Sequence, residues 1–321
     1  MTAKSPSCRA IEVDLVATAT GDAEPRSAEL AHRHMSTCAA CREEFGRYRA
    51  VDHVARGLHV TPAPDALAQS RAGLESRLAD LKQRRLAYRI FPSPLGHILV
   101  GRTEHGIALV EYLHGGTSLR ASRLARTEGV EAVAGGPELE RLQRDLMDYL
   151  AGRRRDLAWP LDWRLATSAF ARAVLETTAA IPYGAVASYA GVARRIGRPS
   201  AVRAVAQALR WNPLPIVVPC HRVIGTSGRL TGYAGDKLDL KQQLLTVEGV
   251  QLHAVRRDFS VARERMYALG EGETEYCLPT CGSIGTRSLA EVTLFASRAS
   301  AESGGFAPCT TCRPDLHPLV Y

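Results

Sequence analysis

Apolar positions along this 321-residue chain change their period twice. Residues 1–55 read as helical. Residues 56–86 read as a linker: Pro62-Ala63-Pro64, then an Ala/Leu/Arg-rich helical stretch that closes on Lys82-Gln83-Arg84-Arg85. From Tyr88 the pattern turns strand-like. Short β-rich runs over 86–91, 96–101 and 107–112 are broken at Pro94-Leu95-Gly96 and Glu104-His105-Gly106. Glu138–Leu150 then predicts an amphipathic helix. Residues 166–255 return to helical periodicity, with one helix over Ser168–Ala180. A helix-turn-helix pair follows over Val186–Ile196 and Ser200–Trp211, with Gly197-Arg198-Pro199 in the turn and Ser200 as N-cap. The pattern predicts an α+β, multidomain chain.

Composition narrows the class. With 45% apolar and 23% charged residues the chain is globular, and a formal charge of +8 suits an anionic partner, nucleic acid foremost. No apolar run approaches the ~20 residues that span a bilayer. The N-terminus lacks the apolar core of a signal peptide. The chain is therefore expected to be soluble and cytoplasmic, with no membrane partner. In that compartment its eight cysteines read as metal ligands or nucleophiles rather than disulfides.

Seven of the eight fall in clusters, and Cys220 stands apart. It lies in Val218-Pro219-Cys220-His221-Arg222-Val223-Ile224, where a histidine directly follows the thiol. A free cysteine is only a few per cent thiolate at neutral pH, so a nucleophilic one needs a nearby base or positive charge. The longer run Asn212-Pro213-Leu214-Pro215-Ile216-Val217-Val218-Pro219-Cys220-His221-Arg222 resembles the active-site segment of the O6-alkylguanine-DNA alkyltransferases, which repair DNA once per molecule.

That resemblance implies a set of roles. Cys220 would be the nucleophile and His221 its base, acting through a bridging water. Glu248, in Val247-Glu248-Gly249, would orient the imidazole and stabilise its cation, and Asn212 would brace the cysteine loop. Tyr189 would sit beside the extruded base and donate a proton to the guanine. Arg203 would fill the gap in the stack, while Ala204 and Ala208 let its helix approach the minor groove. Tyr233, in Thr231-Gly232-Tyr233-Ala234-Gly235, would be a pocket-wall aromatic at the DNA-binding face. Ala234 departs from the serine often found there. The family's fold implies a ribonuclease-H-like α/β domain over 87–165 and a winged-helix-like catalytic domain over 166–255.

The remaining cysteines predict two metal sites. His34-x3-Cys38-x2-Cys41 places three ligands near one face across a helix start, as tetrahedral zinc requires, with Cys8 the natural fourth and His32 a competitor for His34. This module resembles the zinc-binding anti-sigma-factor fold, which implies a sigma factor as a candidate partner. Cys277-x3-Cys281 and Cys309-x2-Cys312 read as a tetrahedral zinc-thiolate site. With Tyr276-Cys277-Leu278-Pro279, Leu294-Phe295-Ala296-Ser297 and Gly305-Phe306, the region 262–321 resembles the zinc domain of the Ada protein. There one zinc-bound cysteine accepts a methyl group from a DNA methylphosphotriester, and Cys277 is the candidate second acceptor by position. Here the domain follows the alkyltransferase region, no AraC-type helix-turn-helix comes after it, and its basic residues thin to Arg287 and Arg298. The resemblance thus implies phosphotriester repair rather than methylation-triggered gene activation.

The expected protein is a monomeric DNA-repair alkyltransferase with two structural zinc ions and no organic cofactor, acting on double-stranded DNA that carries alkylated guanine. Its alternative is a zinc-containing alkylation or redox sensor that regulates transcription by binding DNA or a sigma factor.

Overall fold

The computed structural model describes residues 6–58, 64–113, 119, 122–127, 129–166, 168–233, 237–255 and 258–319. Ala234, and Pro62 and Ala63 of the expected linker, lie outside them. Among the described residues no helix is long and apolar enough to cross a membrane. The chain divides into two compact units, Met1–Arg77 and Leu78–Tyr321.

The first unit is helical: α1 (Pro6–Ala10), α2 (Glu12–Thr20), α3 (Pro25–Thr37) and α4 (Ala39–Gly57). α2 ends on Gly21, whose φ of 80° lets the chain turn left-handed out of the helix. Pro25 opens α3 at a position where its missing N–H costs nothing. The break between α3 and α4 falls on Cys38 in extended conformation. The core is small, with Leu15, Met35, Cys8 and Cys41 buried together. A longer helix, α5, spans Pro64–Arg84.

The second unit begins with β1 (Arg85–Ser93), β2 (Gly96–Arg102), β3 (Ile107–Leu113), β4 (Glu131–Ala134) and α6 (Pro137–Leu150). They form a four-stranded sheet in the order β3-β2-β1-β4, with β4 parallel to β1 and the other pairs antiparallel. α6 buries Leu139, Leu142, Leu146, Tyr149 and Leu150, the spacing of one helical face. Then come α7 (Ala169–Ala179), β5 (Ala185–Ser188), α8 (Tyr189–Arg195), α9 (Val202–Arg210), β6 (Val223–Ile224) and α10 (Leu238–Val247).

The helix-turn-helix is α8 and α9, and it is shorter than periodicity predicted. Val186–Ser188 is strand, not helix, because β5 is buried between β6 and a later strand, and Ser188 Oγ caps α8 by accepting from Gly191 N at 2.9 Å. Gly197 (φ 70°) closes α8 in a Schellman motif: Arg198 N–H bonds Ala193 O at 2.8 Å, and Gly197 N–H bonds Arg194 O at 2.8 Å. Ser200 is not the N-cap of α9. Ala201 occupies that position with no side-chain bond, its N–H held by Arg198 O at 2.9 Å.

The hairpin β7 (Leu252–Val255) and β8 (Asp258–Val261) leads to β9 (Tyr267–Gly270), β10 (Glu275–Cys277), β11 (Val292–Phe295), α11 (Arg298–Ser303) and β12 (Ala307–Pro308). β7 and β8 form a two-stranded sheet of their own, whereas strands β9 to β12 do not stand alone. They continue the catalytic region's sheet in the order β12-β10-β9-β11-β5-β6, with Leu294 opposite Val186 and Phe295 opposite Ala185. One hydrophobic cluster accordingly mixes Val186 and Ile224 with Met266, Val292, Leu294 and Cys277. The α+β, multipart architecture is as expected.

Candidate active site

The segment after α9 is built around one buried amide. Asn212 Oδ1 accepts from Leu214 N at 2.9 Å, while Nδ2 donates to Val218 O at 2.9 Å and to Cys220 Sγ at 3.2 Å. Between them Ile216 is buried with φ 75°, a backbone region that a β-branched residue rarely adopts. The asparagine thus holds a strained loop shut and marks where the thiol sits.

Cys220, His221 and Arg222 form a tight 3-10 turn rather than a strand, closed by Arg222 N bonding Pro219 O at 2.9 Å. The turn lets two neighbouring side chains reach one carboxylate. Glu248, at the C-cap of α10, accepts from His221 Nε2 at 2.6 Å and from Arg222 Nε at 2.8 Å. Tyr149 of α6 also donates to Glu248, whose second oxygen accepts from Gly184 N at 3.0 Å. A carboxylate accepts only, so Nε2 carries the proton and Nδ1 keeps its lone pair in a neutral ring. That Nδ1 is buried with no hydrogen-bond partner.

Burial lowers the pKa of His221 against the pull of Glu248, and raises that of Cys220 against its bond from Asn212 and the charge of Lys241. The resting pair is therefore neutral thiol and neutral imidazole. Burial also opposes ionisation of Glu248, but His221 and Arg222 bring it down to about 2. With His221 neutral at pH 7, the charged partner that keeps Glu248 ionised is Arg222, itself buried.

Cys220 opens onto a cavity of about 370 Å³ that is also lined by Tyr189, Arg203, Arg210, Gly232 and Tyr233. Tyr189 donates to Thr231 O at 3.1 Å, and burial raises its pKa to about 12. Arg203 is exposed at the cavity on α9. Ala204 is exposed on the same helix but lines a neighbouring hollow with Phe170 and Trp211, and Ala208 packs partly against the core. Tyr233 is buried as a wall of the cavity.

Sequence reasoning did not single out four participants: Arg222, Lys241, Tyr149 and Tyr112. Lys241 is wholly buried on α10, donates to Val223 O at 2.5 Å and Thr231 O at 3.0 Å, and has its pKa lowered by burial to about 7. Arg222 sat inside the recognised motif and could have been flagged as a cation in an otherwise apolar run. The other three carried no local signal.

Both metal-ligand clusters assemble. In the first unit Cys8, His34, Cys38 and Cys41 bring their ligand atoms within 4.8 Å of one another, and Cys8 Sγ lies 3.8 Å from Cys38 Sγ. Bonds of about 2.3 Å from a tetrahedral zinc put thiolate sulfurs at about that spacing. His34 Nε2 is buried with no hydrogen-bond partner, which fits a ligand nitrogen, whereas His32 packs edge-on against Phe45. In the second unit Cys277, Cys281, Cys309 and Cys312 lie equally close, with Leu278 N donating to Cys312 Sγ at 3.3 Å. Cys277 is 3% exposed, and Cys312 is the most accessible of the four.

Three family descriptions match the second unit. They are the 6-O-methylguanine DNA methyltransferase ribonuclease-like domain at 86–163, the DNA binding domain of the same protein at 169–250, and the metal binding domain of Ada at 254–315. The constitutive methylated-DNA–protein-cysteine methyltransferase of Bacillus subtilis is 37% identical over 163 residues, 51% of this chain and 95% of that protein. The corresponding protein of Mycolicibacterium paratuberculosis is 42% identical over 166 residues, 51% of this chain and 92% of its own. Among solved structures, the Mycobacterium tuberculosis OGT in complex with DNA is similar at 34% identity, with 50% of this chain and 92% of that chain covered and a TM-score of 0.42.

Proposed function

This chain belongs to the methylated-DNA–protein-cysteine methyltransferase family, and we propose that it repairs O6-alkylguanine in duplex DNA by moving the alkyl carbon onto Cys220. One observation carries the residue assignment. The thiol of Cys220 opens onto a cavity, and the next residue is an imidazole whose Nε2 is engaged by Glu248 while Nδ1 is unpartnered.

The chemistry follows from those groups. The alkylated base lies inside the duplex, so it must leave the stack to reach sulfur. Arg203, exposed at the cavity edge, would enter the vacated stack. Sulfur attacks the alkyl carbon in line; the C–S bond forms as the C–O bond breaks. The thiol proton passes towards His221 Nδ1, and Glu248 stabilises the resulting cation. Tyr189 turns its O–H from Thr231 to the departing guanine and supplies the proton that the base needs. The proton taken up by His221 then replaces it on the tyrosine, so the products are the thioether, neutral guanine and neutral side chains. The product thioether is a poor leaving group, so each molecule acts once. Because burial keeps Cys220 protonated at rest, the thiol is spared adventitious oxidation until a base occupies the cavity.

Both clusters fit zinc, and we assign one ion to each. When bound, zinc keeps its cysteines as thiolates and ties together units with small cores. Methylphosphotriester repair at the second cluster is a further reading, favoured by the match to the Ada metal-binding domain. Cys277 remains the candidate acceptor. The greater accessibility of Cys312 makes it the competing site, and peptide mapping separates the two.

The first unit exposes Val13, Val51, Val54 and Leu58, which supports a protein partner there, with a sigma factor as candidate. We place the protein in the cytoplasm as a monomer, testable by sedimentation. Intact mass after exposure to methylated duplex, followed by peptide mapping, tests the main reading. One methyl on Cys220 supports it, and no methyl anywhere overturns it. Cys220→Ala should lose transfer and keep affinity for the lesion. Stoichiometric saturation excludes a hydrolase that turns over, and a sensor would bind lesions without transfer.

A further inference from the structure

The wall of the Cys220 cavity is held from outside the catalytic region. Tyr233, one of the lining residues, places its hydroxyl 2.8 Å from the hydroxyl of Tyr112 on β3. The two rings meet edge to face with centroids 6.1 Å apart, and both side chains are buried. Lys237 lies with Nζ 5.0 Å from the Tyr112 ring centroid, and its N–H bonds Tyr233 O at 3.1 Å. On its other side Tyr233 stands edge-on to the His221 ring at 6.3 Å.

β3 is an edge strand of its sheet, and it grips the active-site segment at a second point. Val110, two residues before Tyr112 on this strand, donates its backbone N–H to Pro213 O at 2.8 Å. Pro213 adjoins Asn212, which holds Cys220 in place. One strand edge therefore braces the nucleophile's loop through backbone and the opposing loop through a hydroxyl pair.

We propose that Tyr112 is a positioning residue for alkyl transfer: by holding the Tyr233 hydroxyl it fixes one wall of the cavity and limits the size of alkyl group that Cys220 accepts. The inference rests on the alkyltransferase reading and deepens it, because it gives the ribonuclease-like region a part in choosing the substrate. Both tyrosines stay neutral, since burial raises each pKa, so the contact is an ordinary O–H···O bond. Removing one hydroxyl leaves the other buried and unpaired, whereas removing both leaves two apolar rings in contact.

The test uses the full chain and three variants, Tyr112→Phe, Tyr233→Phe and the double variant. Transfer rates are measured on duplexes bearing O6-methylguanine or O6-benzylguanine, alongside affinity for undamaged duplex and melting temperature. Tyr112→Phe should slow methyl transfer by about three- to tenfold, leave duplex affinity unchanged and raise the benzyl-to-methyl rate ratio. The double variant should be no slower than the worse single variant, the mark of a direct coupling. An unchanged ratio overturns the proposal, whether the rates hold or fall in equal proportion with a lower melting temperature. So do single-variant losses that simply multiply in the double variant. Wild-type protein that takes up no alkyl group would instead overturn the functional reading on which the proposal rests.

Discussion

His221 Nε2 lies 2.6 Å from Glu248 Oε1, and neither side chain reaches solvent. The same carboxylate takes Arg222 Nε at 2.8 Å and a hydroxyl from Tyr149. With the Gly184 N–H at 3.0 Å, four groups from three parts of the chain converge on one buried negative charge, and the tautomer that a base needs is set by it.

Replacing that charge should cost both stability and rate. Glu248→Gln leaves Arg222 buried without its counter-ion, a loss of about 3–5 kcal/mol for a broken buried pair. It also lets an amide donate to Nε2, which selects the wrong tautomer and should slow transfer by roughly 10³-fold or more. Urea unfolding and single-turnover kinetics check the two effects separately. A variant as stable and as fast as wild type would remove Glu248 from the mechanism.

Acid should act through the same cluster. The pKa of Glu248 falls from its ordinary 4.5 to about 2 on folding, so its stabilisation is complete above pH 4.5 and disappears as pH falls towards 2. His221 is lowered from 6.5, so the native state also resists its protonation, and stability starts to fall below pH 6.5. Transfer should decline at lower pH than the onset of the stability loss, as the native-state His221 is protonated below its depressed pKa, because only the neutral ring can accept the thiol proton. Melting temperature and rate as functions of pH test this, and a flat stability profile from pH 7 to pH 4 would contradict the assignment.

Arg203 is exposed at the cavity, and no bond from its side chain holds it to the protein among the described contacts. Its work would be done in DNA. Arg203→Ala should slow repair of a lesion in duplex by about tenfold or more, because extrusion loses its replacement in the stack. Reaction with free O6-benzylguanine, which needs no extrusion, should change little. Equal losses on both substrates would place Arg203 in the chemistry instead.

Metal content should be two zinc ions per chain by native mass spectrometry, falling to one in Cys38→Ser and to one in Cys312→Ser. The first unit buries few apolar residues, with Leu15 and Met35 beside the ligands. Chelation should therefore melt α2–α4, read as lost helical signal, since such small cores depend on their metal. A chain with full helicity after complete zinc removal would refute this.

The catalytic segment was legible before folding because its geometry is local. Asn212, Cys220 and His221 lie within one loop and one tight turn, in a run that resembles one known family, and the interval to Glu248 contains β6 and α10. The metal clusters were legible for a similar reason, each pair of cysteines being joined by a turn or two of chain. Helix periodicity found α6 and α7 nearly to the residue, since burial of one face repeats along the axis. It failed at Val186–Ser188, within β5, whose four consecutive buried residues suit a helix or an interior strand alike.

What lay beyond the sequence was partnership. Tyr112 and Tyr233 meet across 121 positions, and Tyr149 reaches Glu248 across 99. Lys241 looks like any basic residue on a helix until the fold buries it beside Val223 and Thr231. The pairing of β5 with β11, which joins the metal-binding region to the catalytic sheet, is made by backbone groups that every residue carries. Side-chain pattern determines which face of an element turns inward. Only the tertiary structure decides what that face meets, because distant contacts are chosen by the packing of the whole chain.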